Sequence, residues 1–139
     1  MLLHIKNLLN PTQLAEIDRL YASAPFVDGA VSAGPTAAAV KNNETIDRGS
    51  FSEIEVLDRI VGQALINHPT FRMAVLPARV LSPQYARYRP GMAYGQHADN
   101  PLIQLGGNFV RTDVSVTVFL NPPDDYKGGE LVMHSDMGT

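Results

Sequence analysis

The sequence predicts an α+β fold that is mainly β: a jelly roll or double-sheet barrel with helices supporting one side. Three observations predict it. The first 70 residues carry two apolar stripes at helical spacing. After Phe71 the pattern shifts to short alternating runs separated by turn residues. With 139 residues, 45% hydrophobic and 18% charged, the chain has the composition of one globular domain able to bury a core.

Residues 2–8 read as a short strand entering a loop. Asn10-Pro11-Thr12-Gln13 then starts a helix: Asn10 caps, Pro11 suits the first helical position, and Gln13 reaches back to the cap. Leu14, Ile17, Leu20 and Tyr21 share one face, and the helix should stop before Pro25. Residues 28–49 are rich in Gly, Ala, Ser and Asn, with turn signals at Asp28-Gly29 and Gly34-Pro35. A connection of that length is either a functional loop or disordered. A second helix is expected over about Ser52–Asn67, opened by the capping box Ser50-Phe51-Ser52-Glu53 and ended by Pro69. Its buried stripe is Ile54, Leu57, Val61 and Leu65.

Beyond Phe71, strands are expected over Met73–Leu76, Arg79–Arg89, Met92–Asp99, Arg111–Leu120 and Glu130–His134. The clearest is Asp113–Leu120. Val114, Val116, Val118 and Leu120 share one face, and Asp113, Ser115, Thr117 and Phe119 share the other. That alternation suits a sheet with one face in the core and a mixed face lining a cavity. No internal repeat is present.

Composition narrows the function classes. A net charge of -3 argues against a nucleic-acid binder, which needs a basic footprint. The absence of cysteine excludes disulfides, zinc–thiolate sites and a thiol nucleophile, and fits a reducing compartment. No apolar run approaches a membrane span, and Met1-Leu2-Leu3-His4-Ile5-Lys6 lacks the layout of a signal peptide. A cytoplasmic location without membrane or nucleic-acid partners is therefore expected.

The chemistry concentrates in Tyr94-Gly95-Gln96-His97-Ala98-Asp99-Asn100. On a strand, side chains at i and i+2 leave the same face, so His97 and Asp99 can converge on one ion. An imidazole and a carboxylate supply two thirds of the 2-His-1-carboxylate triad that holds non-haem Fe(II) with open positions. With four histidines in 139 residues, such a pair arises by chance in roughly one chain of four, and a surface His–Asp hydrogen bond is the plainer account.

Its surroundings add information. Tyr88-Arg89-Pro90-Gly91-Met92-Ala93-Tyr94-Gly95-Gln96-His97-Ala98-Asp99-Asn100-Pro101 is followed by Arg111-Thr112-Asp113, the strand to Leu120, and Tyr126-Lys127-Gly128-Gly129-Glu130-Leu131. This order resembles the prolyl and lysyl hydroxylase type of Fe(II)/2-oxoglutarate-dependent dioxygenases, and most closely the bacterial PKHD-type hydroxylases. Asp28-Gly29 and Ala38-Ala39-Val40-Lys41-Asn42-Asn43 resemble the N-terminal region of that group.

The resemblance implies a double-stranded β-helix, with residues 1–70 as a helical support region and 71–139 as its first part. It makes His97 and Asp99 iron ligands and places Tyr88, Tyr94 and Thr117 at the 2-oxoglutarate pocket. Plain packing is an equal account of Tyr94. Phe119 stands where some relatives carry a tyrosine hydroxyl for the distal carboxylate of the co-substrate, and it has no hydroxyl. Gly128-Gly129 reads as a turn that uses glycine's backbone freedom, and Arg111 as a solvated or salt-bridged arginine. His4 and His68 read as structural or exposed.

The resemblance also implies a second histidine ligand and a basic 2-oxoglutarate clamp beyond the Gly-Gly-Glu-Leu segment. His134 falls too early for that ligand, so the chain is expected to be the N-terminal portion of a longer, truncated-looking jelly roll, inactive by itself. Its bare edges and apolar faces would invite association, including with copies of itself.

The implied activity is hydroxylation of a peptide or metabolite substrate, coupled to decarboxylation of 2-oxoglutarate to succinate, with L-ascorbate (vitamin C) keeping iron reduced. Asp99 favours hydroxylation over halogenation. The alternatives are a non-catalytic jelly-roll binding module and a cupin-like metalloprotein.

Overall fold

The computed structural model describes residues 2–134. Helix α1 (Pro11–Ser23) begins as its sequence dictates. Asn10 Oδ1 accepts from the Gln13 amide and Gln13 Oε1 accepts from the Asn10 amide, both at 2.9 Å. Two of the helix's orphan donors are thereby satisfied reciprocally. The α1 face carrying Ile17 and Leu20 is buried, with Leu14 and Tyr21 packed beside it.

Residues 26–46 form a succession of short elements in place of the expected long loop. These are strand β1 (Phe26–Asp28), a 3-10 turn (Gly29–Ser32), helix α2 (Pro35–Ala38), strand β2 (Lys41–Asn42) and strand β3 (Glu44–Ile46). The Asp28 carboxylate caps the 3-10 turn by accepting from the Ala30 amide at 2.9 Å.

Helix α3 (Ile54–Asn67) buries Leu57, Val61 and Leu65, as its periodicity predicts. The expected capping box does not form. Glu53 occupies the cap without a side-chain bond, and the Ser50 hydroxyl donates instead to Asp47 Oδ2 at 2.6 Å.

Met73–Leu76 is not a strand. Pro69 does end α3, but it also opens a second helix, α4 (Pro69–Val75), with proline at the first position. Leu76, at φ +47°, turns the chain out of α4. Phe71 is buried in the shared core, and α4 packs on α3.

The remaining strands are β4 (Ala86–Arg87), β5 (Ala93–Tyr94), β6 (Leu102–Leu105) and β7 (Asn108–Arg111). Among the described residues all pairings are antiparallel and make three small sheets, β1-β3-β4, β2-β5 and β6-β7. The β6-β7 hairpin turns through Gly106-Gly107, whose φ angles of +54° and +85° call for glycine at both central positions. The expected strands over 2–8, Asp113–Leu120 and Glu130–His134 form no ladder among the described residues. The alternation of the Asp113 tract survives at its end: Val118 and Leu120 pack against the core, whereas Phe119 is 53% exposed.

The α+β character is thus present, as helices and small antiparallel sheets that do not close into a barrel. One core gathers Leu9, Ile17, Leu20, Ile46, Phe51, Leu57, Val61, Leu65, Phe71 and Tyr85.

Polar clips tie β4 to this core. Glu44 accepts from Arg87 Nε at 2.7 Å and Arg89 Nε at 2.9 Å. The Arg87 guanidinium also lies 3.7 Å from the Phe26 ring centroid. Asp58 accepts from both Arg48 nitrogens and from the Tyr85 hydroxyl at 3.0 Å. Among the described residues, no helix is long and apolar enough to cross a membrane.

Candidate metal centre

Strand β5 places the His97 region. It pairs with β2 in the register Lys41↔Tyr94 and Asn42↔Ala93, and the Gly95 amide extends the contact by donating to the Val40 carbonyl at 2.8 Å. Gly95 has to be small: a Cβ there would stand 2.9 Å from Val40 Cβ. The ladder stops at Tyr94, so His97 and Asp99 are not carried on a strand as the i, i+2 argument supposed. They converge all the same.

His97 Nδ1 donates to the Gly95 carbonyl at 2.8 Å. A carbonyl offers no proton, so the bond requires hydrogen on Nδ1 and turns Nε2 toward Asp99. Nε2 lies 3.5 Å from Asp99 Oδ1. The other carboxylate oxygen, Oδ2, accepts from the Ser115 hydroxyl.

In the neutral ring, Nε2 and Oδ1 are both acceptors, and two lone pairs at this separation repel. A cation placed between them would accept both lone pairs. Two donors bound about 2.1 Å from one ion at adjacent positions stand about 3 Å apart. The pair therefore fits a metal after a small closure. The bonds to Gly95 and Ser115 are the outer contacts that orient an imidazole and a carboxylate toward an ion. Among the described residues, no group of three or more His, Asp or Glu side chains could hold a metal.

Tyr94 supports the imidazole. Its ring stacks on His97 with centroids 3.7 Å apart and planes 11° from parallel. On the same ladder, Lys41 Nζ sits 5.1 Å from the Tyr94 ring centroid and donates to Ser32 Oγ at 2.8 Å. Burial, then the charges of Asp99 and Tyr88, raise the Tyr94 hydroxyl above the usual tyrosine range. Burial lowers the Lys41 ammonium below the usual lysine range.

Tyr88 is half exposed and near enough to Tyr94 for their charges to couple. Thr117 is exposed, and no hydrogen bond among the described residues joins it to the pair. Arg111 is salt-bridged to Asp113 at 2.7 Å on the surface. Gly128 and Gly129 both adopt φ +78°, the left-handed freedom expected of them. His4 and His134 are exposed, and His68 stands at the N-cap position of α4 without a side-chain capping bond.

Sequence reasoning did not single out Ser115 or Lys41. Ser115 was visible only as a member of the mixed face of the Asp113 tract. That face does deliver it to Asp99. Lys41 carried no signal of its own, because its meeting with Tyr94 depends on a long-range strand pairing.

No family model matches the chain. Curated relatives do. A PKHD-type hydroxylase of Thioalkalivibrio sulfidiphilus is 49% identical over 138 residues, covering 99% of this chain and 61% of that protein. One of Gluconacetobacter diazotrophicus is 45% identical over 141 residues, covering 100% of this chain and 62% of that protein. One of Hyphomonas neptunium is 43% identical over 141 residues, with the same coverage. The chain thus spans about three fifths of the length of these relatives.

Proposed function

We propose, from the premise that this chain is a homologue of the PKHD-type hydroxylases over nearly its whole length, that it carries half of an oxygenase active site. His97 and Asp99 are two ligands of Fe(II) in a 2-oxoglutarate-dependent dioxygenase that hydroxylates a peptide or metabolite substrate. Tyr88, Tyr94 and Thr117 border the 2-oxoglutarate pocket. L-Ascorbate keeps the iron reduced, and the whole protein works in the cytoplasm. The finer fold belongs to the same proposal. Residues 1–70 support a double-stranded β-helix whose first part is 71–139.

The carrying observation is the convergence of His97 Nε2 and Asp99 Oδ1, each held from behind, by Gly95 and by Ser115. Bound iron would supply oxygen activation. The chain's own residues fix the donor directions. The Gly95 carbonyl holds the proton on Nδ1, the Tyr94 ring blocks one face of the imidazole, and Ser115 prevents rotation of the carboxylate. Preorganisation of this kind means that the ligands need little rearrangement on metal entry.

The test is made on the full-length protein, comparing wild type with Asp99→Ala. Mn(II) affinity should fall more than about tenfold, and succinate formation from 2-oxoglutarate should be lost. Unchanged succinate production in the variant would refute the reading and leave the non-catalytic binding module as the better account.

A further inference from the structure

The ring stack on His97 has a far end. Lys41 stands directly across the β2-β5 ladder from Tyr94, the last residue of β5. Its ammonium lies 5.1 Å from the centroid of the Tyr94 ring, within the range of a cation–π contact. The Tyr94 ring in turn lies 3.7 Å from the His97 imidazole, with planes 11° from parallel.

The ammonium is itself held. Ser32 Oγ donates to the Gly29 carbonyl at 2.9 Å and accepts from Lys41 Nζ at 2.8 Å. A hydroxyl whose proton is committed presents a lone pair, so the 3-10 turn fixes the end of an otherwise flexible stem. Among the described residues, no carboxylate lies within ion-pairing distance of Nζ to draw it elsewhere.

The imidazole needs such support. The bond from Nδ1 to the Gly95 carbonyl fixes one ring atom and leaves the ring free to tilt about it. His97 lies beyond the end of the ladder, so no strand sets its plane. The Tyr94 face does, and the Nε2 lone pair points along that plane. Tyr94 belongs to a ladder only two pairs long, where cross-strand side-chain contact is a large part of what fixes a ring.

We infer that Lys41 is a positioning residue for His97. Held by Ser32, its ammonium keeps the Tyr94 ring in the plane against which His97 stacks, and so aims Nε2 at the metal position beside Asp99. The ring placement stands on these contacts alone. Its consequence for metal binding rests on the proposed hydroxylase reading.

The experiment follows the His97 ring by 1H–13C NMR in full-length, metal-free protein at about pH 8, above the usual histidine pKa of about 6.5. Protons over the face of a stacked ring are shifted upfield by its ring current. Hε1 and Hδ2 of His97, identified by their loss in His97→Asn, should lie upfield of those of the exposed His4 and His134. Lys41→Met, which keeps the stem without the charge, should move them toward the exposed pair. The Gly95 amide, bonded to the Val40 carbonyl, should keep its protection from exchange in that variant. Lys41→Arg should retain the wild-type positions. Ser32→Ala, at an exposed position, should shift the ring protons in the same direction as Lys41→Met. Mn(II) affinity should fall about tenfold in Lys41→Met and recover in Lys41→Arg.

Unmoved ring protons in Lys41→Met would overturn the inference. So would loss of Gly95 protection in that variant, which would make Lys41 a support of the ladder alone, or an arginine that fails to retain the ring. Unchanged Mn(II) affinity in Lys41→Met would do the same wherever Asp99→Ala weakens it. If neither variant changes it, the metal reading has failed, and the ring protons still decide the placement.

Discussion

Replacing Gly29 by alanine should weaken the fold through a single steric conflict. Gly29 opens the 3-10 turn, is buried, and donates its amide to the Asn43 carbonyl at 2.8 Å. A Cβ added there would overlap Asn43 Oδ1 outright, with Asn43 Cγ at 2.9 Å and the Asn43 carbonyl at 3.0 Å. Asn43 cannot turn aside cheaply, being only 4% exposed. Overpacking of this kind costs about 1–3 kcal/mol. Lower unfolded-chain entropy from Gly→Ala returns about 0.4–1 kcal/mol. The net loss should be about 1–2 kcal/mol, a fall in melting temperature of roughly 3–8 °C for a domain of this size. Thermal unfolding followed by circular dichroism measures it, with a urea midpoint as the second probe. Since Asn43 Oδ1 has no hydrogen-bond partner among the described residues, Asn43→Ala gives up no bond at that atom there. The double variant Gly29→Ala/Asn43→Ala should therefore recover more than half of the loss. A Gly29→Ala protein as stable as wild type, or a double variant no better than the single one, would refute the reasoning.

Four further outcomes are expected. Ser115→Ala should weaken Mn(II) binding by the full-length protein about tenfold, without unfolding it, because it frees the Asp99 carboxylate to rotate. Burial alone would raise the Asp58 carboxyl, but hydrogen bonds from Arg48 and Tyr85 hold it below the usual carboxylate range. Its contribution is therefore present above the unfolded value of about 3.9 and lost as pH falls through the folded value. Asp58→Asn should flatten the acid limb of stability between about pH 5 and pH 2, read from urea midpoints. Asn10→Ala should cost about 1 kcal/mol by removing the α1 cap, measured by chemical denaturation. Leu120→Ala should cost about 1–2 kcal/mol, and Phe119→Ala should be nearly neutral, since only the first packs on the core.

Features governed by neighbours a few residues away were legible in the sequence. The α1 cap needs only Asn10, Pro11 and Gln13, and the α3 stripe needs only its own period. Errors arose where a local signal had two outcomes. Pro69 stops one helix but equally starts another, and the apolar run after it went into α4 instead of a strand. Ser50 could cap α3 or bond Asp47, and the nearer acceptor took it. His97 Nε2 and Asp99 Oδ1 approach to 3.5 Å without the strand on which the alternation argument relied. A strand would have aligned them by alternation. What aligns them is the Nδ1 bond to Gly95 together with a hydroxyl 16 residues downstream of Asp99. Strand pairings were illegible for the same reason. Elements two to four residues long carry too little pattern to name their partners.

The short β2-β5 ladder has a kinetic consequence. Two residue pairs close a loop that contains α3 and α4, and the neighbouring clip from Glu44 to Arg87 spans 43 residues. Loop closure of that length is unfavourable until the helices have packed. Tyr94, and with it the His97 ring, should therefore reach its place after α3 and α4 have docked. A metal ion that needs the finished pair would then meet an ordered ligand set only in chains whose core is already built. Metal loading would in this way follow folding, and a chain with a damaged core would lose the ordered His97–Asp99 pair before it lost its helices.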